Sequence, residues 1–151
     1  MLHLHDDKVK SLEITANKLR QHVITSVANA KSGHQGGPLG MADIFAVLYF
    51  HELNHDPKNP EREDRDRLIL SNGHICPIRY AAMAEAGYFP VDELMTLRKL
   101  GSRLQGHPER TKLPGAETTS GPLGAGLAQA AGLAYAAKMD GKKWRTYCAT
   151  S

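Results

Sequence analysis

In the first fifty residues, apolar positions recur among polar ones at the spacing typical of helices. Apolar side chains recur at three- and four-residue steps, which places them on one face of a long amphipathic helix: Val9, Leu12, Ala16, Leu19, Val23 and Val27. We predict that this helix ends near Lys31-Ser32-Gly33 and that residues 32–40, which are rich in glycine, form a turn. The apolar positions of residues 41–53 then predict a second, mostly buried helix.

The middle of the chain predicts a charged loop, one strand and two helices. Residues 56–67 are charged and contain two prolines, whereas Leu68-Ile69-Leu70 is a short apolar run typical of a buried strand. Helices are predicted over residues 75–87 and 91–100. The connection over residues 101–124 is rich in glycine and proline, and because a connection this long is usually functional or disordered, we favour function.

The last part of the chain predicts a closely packed helix and a second strand. Residues 125–139 are rich in alanine, as expected for a helix that packs closely on a sheet, and residues 146–151 are typical of a strand. Helices between two strands indicate an α/β domain with a parallel sheet. Two strands are few for such a sheet, so we expect residues 1–151 to form one incomplete domain, either truncated or completed by a partner.

Composition and charge narrow the protein class. The 151 residues are 41% hydrophobic and 23% charged, which is ordinary for a globular protein, and the net charge of +3 arises from interleaved acids and bases. No apolar run approaches the roughly 20 residues needed to cross a bilayer, and the first residues do not resemble a signal peptide. Cys76 and Cys148 lack the spacing of a zinc site. We expect a cytoplasmic protein that binds neither nucleic acid nor membrane.

Three of the eight histidines follow a glycine at a predicted element boundary: Gly33-His34, Gly73-His74 and Gly106-His107. A single histidine in a turn is more often an ordinary polar residue than a catalytic one. Glycine, however, permits a positive φ and close backbone approach, so that a tight turn can present the imidazole to a cleft. His74 also follows a predicted strand, where parallel sheets bind ligands. We therefore expect proton transfer on a hydroxylated or carbonyl substrate.

A fourth segment, Gly121-Pro122-Leu123-Gly124, opens the alanine-rich helix. It could offer backbone amides and a helix N-terminus to an anion or a cofactor ring. It could equally be a helix-initiating turn with proline at the first position. The chain contains no Gly-x-Gly-x-x-Gly, phosphate-loop lysine, Gly-x-Ser-x-Gly or His-Glu-x-x-His motif, which argues against the commonest nucleotide-binding, hydrolase and zinc-protease sites.

Four motifs, in matching order and spacing, resemble the N-terminal diphosphate-binding part of transketolase. They are Ser32-Gly33-His34 with Gly36-Gly37, the run from Asp64 to His74, Leu100-Gly101-Ser102 with Gly106-His107-Pro108-Glu109, and Thr119-Ser120-Gly121-Pro122-Leu123-Gly124. The resemblance covers nearly the whole chain from Leu12 onward. Gln35 and Leu104-Gln105 depart from the common pattern and are similar to the split transketolases, which are made as two polypeptides.

This resemblance implies the N-terminal portion of a thiamine-diphosphate-binding fold, an α/β domain with a parallel sheet. It implies transfer of a two-carbon ketol group from a ketose phosphate to an aldose phosphate, with thiamine diphosphate as cofactor. By motif, His34 would bond the hydroxyls of the donor sugar, His74 would lie beside the cofactor and the donor carbonyl, and His107 would contact the sugar. The backbone of Gly121-Pro122-Leu123 would contact the thiamine.

The resemblance also implies groups from outside the chain. Mg²⁺ or Ca²⁺ would be held by ligands beyond Ser151, so no metal ligand is assigned here. A second polypeptide would carry the pyrimidine-binding and C-terminal domains, and an oligomer is expected. Two alternatives stay open: a thiamine enzyme like deoxyxylulose-phosphate synthase, which residues 104–108 disfavour, and a non-catalytic fragment or assembly module.

Overall fold

The first helix, α1, spans Asp6–Ala30 and confirms the long helix predicted from the periodic pattern. The structure, a computed structural model, describes residues 5–151. Five of the six predicted apolar positions are buried, whereas Val9, near the start of the helix, is exposed. The helix ends at Lys31, whose left-handed φ of 51° turns the chain away from the helix axis.

The glycine-rich segment is partly helical, so the turn predicted over residues 32–40 is wrong in its second half. Helix α2 spans Gly36–Gly40, helix α3 spans Ala42–Val47, and a π-helical turn follows over Leu48–Glu52. The second helix predicted over residues 41–53 is therefore confirmed over residues 42–52, with a π-helical end, and a separate short helix precedes it. The break falls at Met41, whose φ of −93° and ψ of 2° depart from helical values.

The two predicted strands are both present and pair in parallel. Strand β1 spans Arg67–Leu70 and strand β2 spans Thr146–Ala149, with Arg67 opposite Thr146 and Leu70 opposite Ala149. These two strands form the whole sheet among residues 5–151. The parallel direction agrees with the α/β class predicted from the order of the elements.

Helix α4 spans Cys76–Ala86 and follows β1 through a 3₁₀ turn at Gly73–Ile75, which agrees with the helix predicted over residues 75–87. Nine of its eleven residues are buried, so packing fixes most of its side chains. Gly87, with a φ of 94°, ends the helix in the left-handed region that glycine tolerates.

The helix predicted over residues 91–100 is wrong beyond its first turns. Only a 3₁₀ helix forms, over Val91–Thr96. Arg98 then adopts a φ of 61°, and its N–H donates to the carbonyl of Leu104 at 2.9 Å. This local hydrogen bond closes a loop where the sequence pattern would continue a helix. The connection that follows contains neither helix nor strand over residues 101–124, as predicted.

Helix α5 spans Ala125–Met139 and confirms the predicted alanine-rich helix. Its buried residues are Gly126, Ala130 and Ala137, which form a narrow stripe. Large apolar side chains lie outside that stripe, since Leu127 is 57% and Tyr135 is 66% exposed. The close packing predicted for this helix therefore holds along one line of small residues only.

The two faces of the sheet carry different helices. Leu68 and Leu70 belong to the hydrophobic core that the sheet shares with α1, α3 and α4. Ile69, between them, is fully buried but lies outside that core. Because side chains alternate along a strand, Ile69 points to the other face, where α5 contacts both strands. Within residues 5–151 no helix is long and apolar enough to cross a membrane.

Candidate active site at the carboxyl end of the sheet

The three histidines that follow a glycine come from three separate segments and meet beyond the end of β1. His34 lies between α1 and α2, His74 in the 3₁₀ turn after β1, and His107 in the long connection. The ring centroids of His34 and His74 are 5.3 Å apart. A Cβ added to Gly73 would stand 2.8 Å from Cδ2 of His107, so that ring packs on the turn that carries His74.

The glycines before these histidines serve the two purposes predicted for them, at different positions. Gly33 has a positive φ, of 134°, whereas Gly73 and Gly106 do not, and there the close approach of neighbouring segments applies instead. At Gly73 a Cβ would approach the Cβ of Ser120 to 2.7 Å, and at Gly106 it would approach the Arg98 guanidinium to 2.8 Å. The second and third glycines therefore permit close packing of neighbouring segments.

The three imidazoles lack the hydrogen bonds that tie down other histidines. His22 contacts the Glu85 carboxylate at 2.6 Å, and His55 uses both ring nitrogens, on the Tyr88 hydroxyl and on a backbone carbonyl. Among the residues that the structure describes, the rings of the three clustered histidines have no such partner. Their nitrogens remain available to a ligand.

The electrostatic surroundings favour a neutral His107. Partial desolvation by its neighbours lowers the pKa of His107, and electrostatic repulsion from His34, Arg98 and His74 lowers it further. A neutral imidazole carries one donor and one acceptor, so at neutral pH this ring can give or take a hydrogen bond.

The Gly121-Pro122-Leu123 segment lies beside the histidine cluster. The preceding residue, Ser120, packs on Gly73, and its N–H donates to the Pro108 carbonyl at 3.0 Å. Pro122 and Leu123 are exposed at the start of α5. The structure therefore brings together all the residues proposed from the sequence for catalysis and cofactor contact, while their individual roles remain predictions.

Three buried polar side chains of this region were not singled out from the sequence. Ser71 Oγ, Asn72 Oδ1 and Ser120 Oγ are all inaccessible to solvent and have no hydrogen-bond partner within residues 5–151. Buried polar atoms are nearly always paired in folded proteins, so these atoms fit a polar ligand better than an apolar one. The sequence signal for Ser71 and Asn72 is their place directly after a buried strand, whereas Ser120 precedes the glycine-rich start of α5.

A second cleft lies at the opposite end of the sheet, and its buried polar groups are bonded within the chain. This cleft encloses about 500 Å³, slightly less than a cleft beside Leu100 and Arg103, and is lined by residues that include Asp66 and Arg145. The Asp66 carboxylate accepts the N–H of Asn54 at 2.9 Å and that of Arg145 at 2.6 Å. These bonds join the starts of the two strands, which is a structural role. No group of three metal-binding side chains occurs in the described part of the chain.

Comparison with known proteins finds the same family along most of the chain. Residues 11–147 match the family model described as "Transketolase, thiamine diphosphate binding domain". The transketolase of Buchnera aphidicola subsp. Acyrthosiphon pisum is 52% identical over 122 residues, which are 80% of this chain and 18% of that protein. The chromosomal transketolase of Cupriavidus necator is 46% identical over 134 residues, 88% of this chain and 20% of that protein.

Solved structures give the same result. Transketolase from Leishmania mexicana has a TM-score of 0.84 and 40% identity, covering 97% of this chain and 23% of that one. Transketolase from Pichia stipitis, in complex with sedoheptulose 7-phosphate, has a TM-score of 0.86 and 36% identity, covering 91% and 22%. The chain thus spans about a fifth of the length of the curated relatives it matches.

Proposed function

This chain belongs to the transketolase family, within its thiamine diphosphate binding domain, and on that premise we propose that it forms one wall of a site for ketol transfer. The reaction moves a two-carbon unit from a ketose phosphate to an aldose phosphate. The observation that supports it most is the convergence of three hydrogen-bond-free histidines on buried, unpaired polar atoms at the carboxyl end of β1.

The residues present fit thiamine diphosphate. His74, half-buried near the Gly121-Pro122-Leu123 segment, would contact the cofactor. Asn72 Oδ1 would accept a hydrogen bond from it, and Ser120 Oγ would accept or donate one. When bound, this cofactor supplies the nucleophile and the electron sink that ketol transfer needs. The chain's own contribution is to orient the substrate and to hold protons near the reacting carbons.

The histidines divide that work according to their exposure. His34 and His107 are exposed and would bond sugar hydroxyls, whereas His74 is half-buried and would lie beside the donor carbonyl. Because the pKa of His107 is lowered, its neutral ring can accept a proton from a sugar hydroxyl and return it. The family resemblance also suggests Mg²⁺ or Ca²⁺, but residues 5–151 offer no group of three ligands, so we derive no step through a metal.

The activity requires more than this chain. The family members that it matches are about five times as long, and the site described here has one wall. We propose that the rest of the catalytic unit, on a second polypeptide or in an oligomer, supplies the remaining contacts to the sugar phosphates.

Cofactor binding tests the proposal directly. Adding thiamine diphosphate with Mg²⁺ to the ¹⁵N-labelled chain, up to millimolar concentration, should shift the amide signals of Gly73, His74 and the Gly121–Gly124 segment. The variant His74→Gln should raise the apparent dissociation constant from this titration at least tenfold. His22→Gln is the control and should leave it unchanged, because His22 is bonded to Glu85 away from the cluster. Absence of any shift at millimolar cofactor when the rest of the catalytic unit is also present would contradict the proposal and favour a non-catalytic module.

Substrate identity is tested separately in the completed catalytic unit. Transfer between ketose and aldose phosphates is the expected activity. Turnover of pyruvate with glyceraldehyde 3-phosphate would instead assign the chain to a deoxyxylulose-phosphate-synthase type of reaction.

A further inference from the structure

Two buried side chains of α4 contact the turn that leads into His107. The Tyr80 hydroxyl donates to the Gln105 carbonyl at 2.8 Å. The Cys76 thiol lies 3.2 Å from the Gly106 carbonyl oxygen and 3.7 Å from that of Gln105. Both side chains are almost fully buried, and neither has a part in the function proposed above.

The arrangement links two of the three histidines through one rigid element. Cys76 and Tyr80 are four residues apart, so they lie on the same face of α4. His74 precedes Cys76 by two residues and enters the helix through the 3₁₀ turn. Helix α4 therefore begins two residues after His74, and its side chains contact the backbone directly before His107.

We propose that Tyr80 and Cys76 are positioning residues, forming a clamp that sets where His107 stands relative to His74. The inference deepens the proposed function, and its consequence for catalysis rests on that function. The hydrogen bonds of the clamp can be tested without cofactor or substrate.

Simple filling of the core would not account for these contacts. The carbonyls of Gln105 and Gly106 would lose their donors if Tyr80 and Cys76 were apolar, and an unpaired buried carbonyl is unfavourable. On its other side Gly106 packs directly against the Arg98 guanidinium. The turn is thus held between α4 and Arg98, and the side chain of Tyr80 supplies the shorter and stronger bond.

Both donors keep their protons at neutral pH. Burial raises the pKa of Cys76 to about 12 and also raises the pKa of Tyr80 well above its ordinary value. The clamp therefore does not depend on pH in the range where the histidines titrate.

The His107 pKa, measured by NMR on the ring carbon in the cofactor-free chain, tests the clamp. Tyr80→Phe, and more strongly Tyr80→Phe with Cys76→Ala, should raise this pKa toward its ordinary value. The reason is that the freed ring would move into solvent, away from His34, Arg98 and His74. Cys76→Ser keeps a donor and should leave the pKa close to that of the original chain.

Tyr88→Phe is the matched control, because it also removes a partly buried tyrosine hydroxyl, one bonded to His55 rather than to the His107 turn. An unchanged His107 pKa in Tyr80→Phe, or an equal rise in Tyr88→Phe, would overturn the clamp. If the double variant does not fold, the isosteric Tyr80→Phe alone decides. Since no cofactor is present, failure of thiamine diphosphate binding would leave this result unaffected.

Discussion

The two ends of the parallel sheet differ in how many of their polar groups are paired within the chain. At the amino end, the Asp66 carboxylate is bonded to two backbone N–H groups, and Glu117 lies 3.0 Å from Arg65 and 3.7 Å from Arg67. At the carboxyl end, three imidazoles have no partner within residues 5–151. Three buried side-chain atoms that lack a hydrogen bond in that range also lie there, Ser71 Oγ, Asn72 Oδ1 and Ser120 Oγ, against one at the start of β2, Thr146 Oγ1.

This difference separates residues that stabilise the fold from residues available to a ligand. A polar group bonded within the chain contributes to folding, whereas a buried polar group left unpaired reduces stability. Functional sites commonly reduce stability in this way, because their polar groups must stay free to bind a ligand. Substitutions at the two ends should therefore differ in the size, and even the sign, of their effect on the free energy of unfolding.

The largest effect is expected at the amino end, from Glu117→Gln. The side chains of Glu117 and Arg65 are each only 9% exposed, so removing the carboxylate leaves buried guanidinium groups without their counter-charge. The free energy of unfolding should fall by about 3–5 kcal/mol, measured by urea denaturation. Glu93→Gln, which breaks the more exposed pair with Arg103, should cost no more than about 1 kcal/mol. Equal losses would show that burial does not distinguish the two pairs.

A smaller loss is expected where α5 meets the carboxyl end of β1, from Gly126→Ala. The new Cβ would stand 2.5 Å from the Cα of Ser71, so helix and strand must separate. We expect a loss of about 1–3 kcal/mol in urea unfolding. Gly132→Ala in the same helix meets no atom within 4 Å and should instead stabilise the chain by about 0.5–1 kcal/mol. A stabilising Gly126→Ala would contradict the close contact.

The sign of the effect should reverse at Ser120→Ala. Its buried hydroxyl has no partner within residues 5–151, so removing it should leave stability unchanged or raise it by up to about 1 kcal/mol. Ser26→Ala is the matched control, because the buried Ser26 hydroxyl donates to the Val23 carbonyl and its loss should cost about 1 kcal/mol. The same Ser120 variant should weaken the cofactor-induced NMR shifts. Destabilisation by Ser120→Ala equal to that by Ser26→Ala would show that the hydroxyl is paired.

The smallest effect is a pH dependence from His107. Because its pKa in the folded chain lies below the ordinary value of 6.5, the unfolded chain takes up the proton first as the pH falls. The contribution of this group to stability is therefore present above the ordinary pKa and is lost as the pH falls through the folded value. Unfolding free energies measured between about pH 7.5 and about pH 5 should decrease less in His107→Gln than in the original chain. Identical slopes would contradict the lowered pKa.

The regular elements could be predicted where a hydrophobic period extended over several turns or a whole strand. The pattern of α1, the apolar run of β1 and the small residues of α5 all gave correct elements, because their burial follows directly from the period. The helix over residues 91–100 could not be excluded in this way. It is interrupted at Arg98 by a hydrogen bond to Leu104, a contact that no local pattern contains.

The residues of the candidate site could be predicted from the sequence, but the packing contacts that position them could be predicted only in part. Motif order singled out His34, His74, His107 and the Gly121-Pro122-Leu123 segment, and the structure brings them together. Of the two reasons predicted for glycine, close approach holds at positions 73 and 106 and a positive φ holds at position 33, and the sequence does not show which applies where because this depends on where Ser120 and Arg98 pack. The role proposed for Tyr80 could not be predicted from the sequence either, because its pattern is that of an ordinary core residue of a helix.

The buried thiol of Cys76 offers a way to measure how often the turn before His107 opens. A thiol reagent can modify Cys76 only when the turn opens, whereas Cys148 lies half-buried on β2. The rate of labelling at Cys76, relative to that of a free thiol, would therefore report how often the turn opens and how much free energy each opening requires. The labelling rate of Cys76 would thus measure the opening motion of the turn that carries His107.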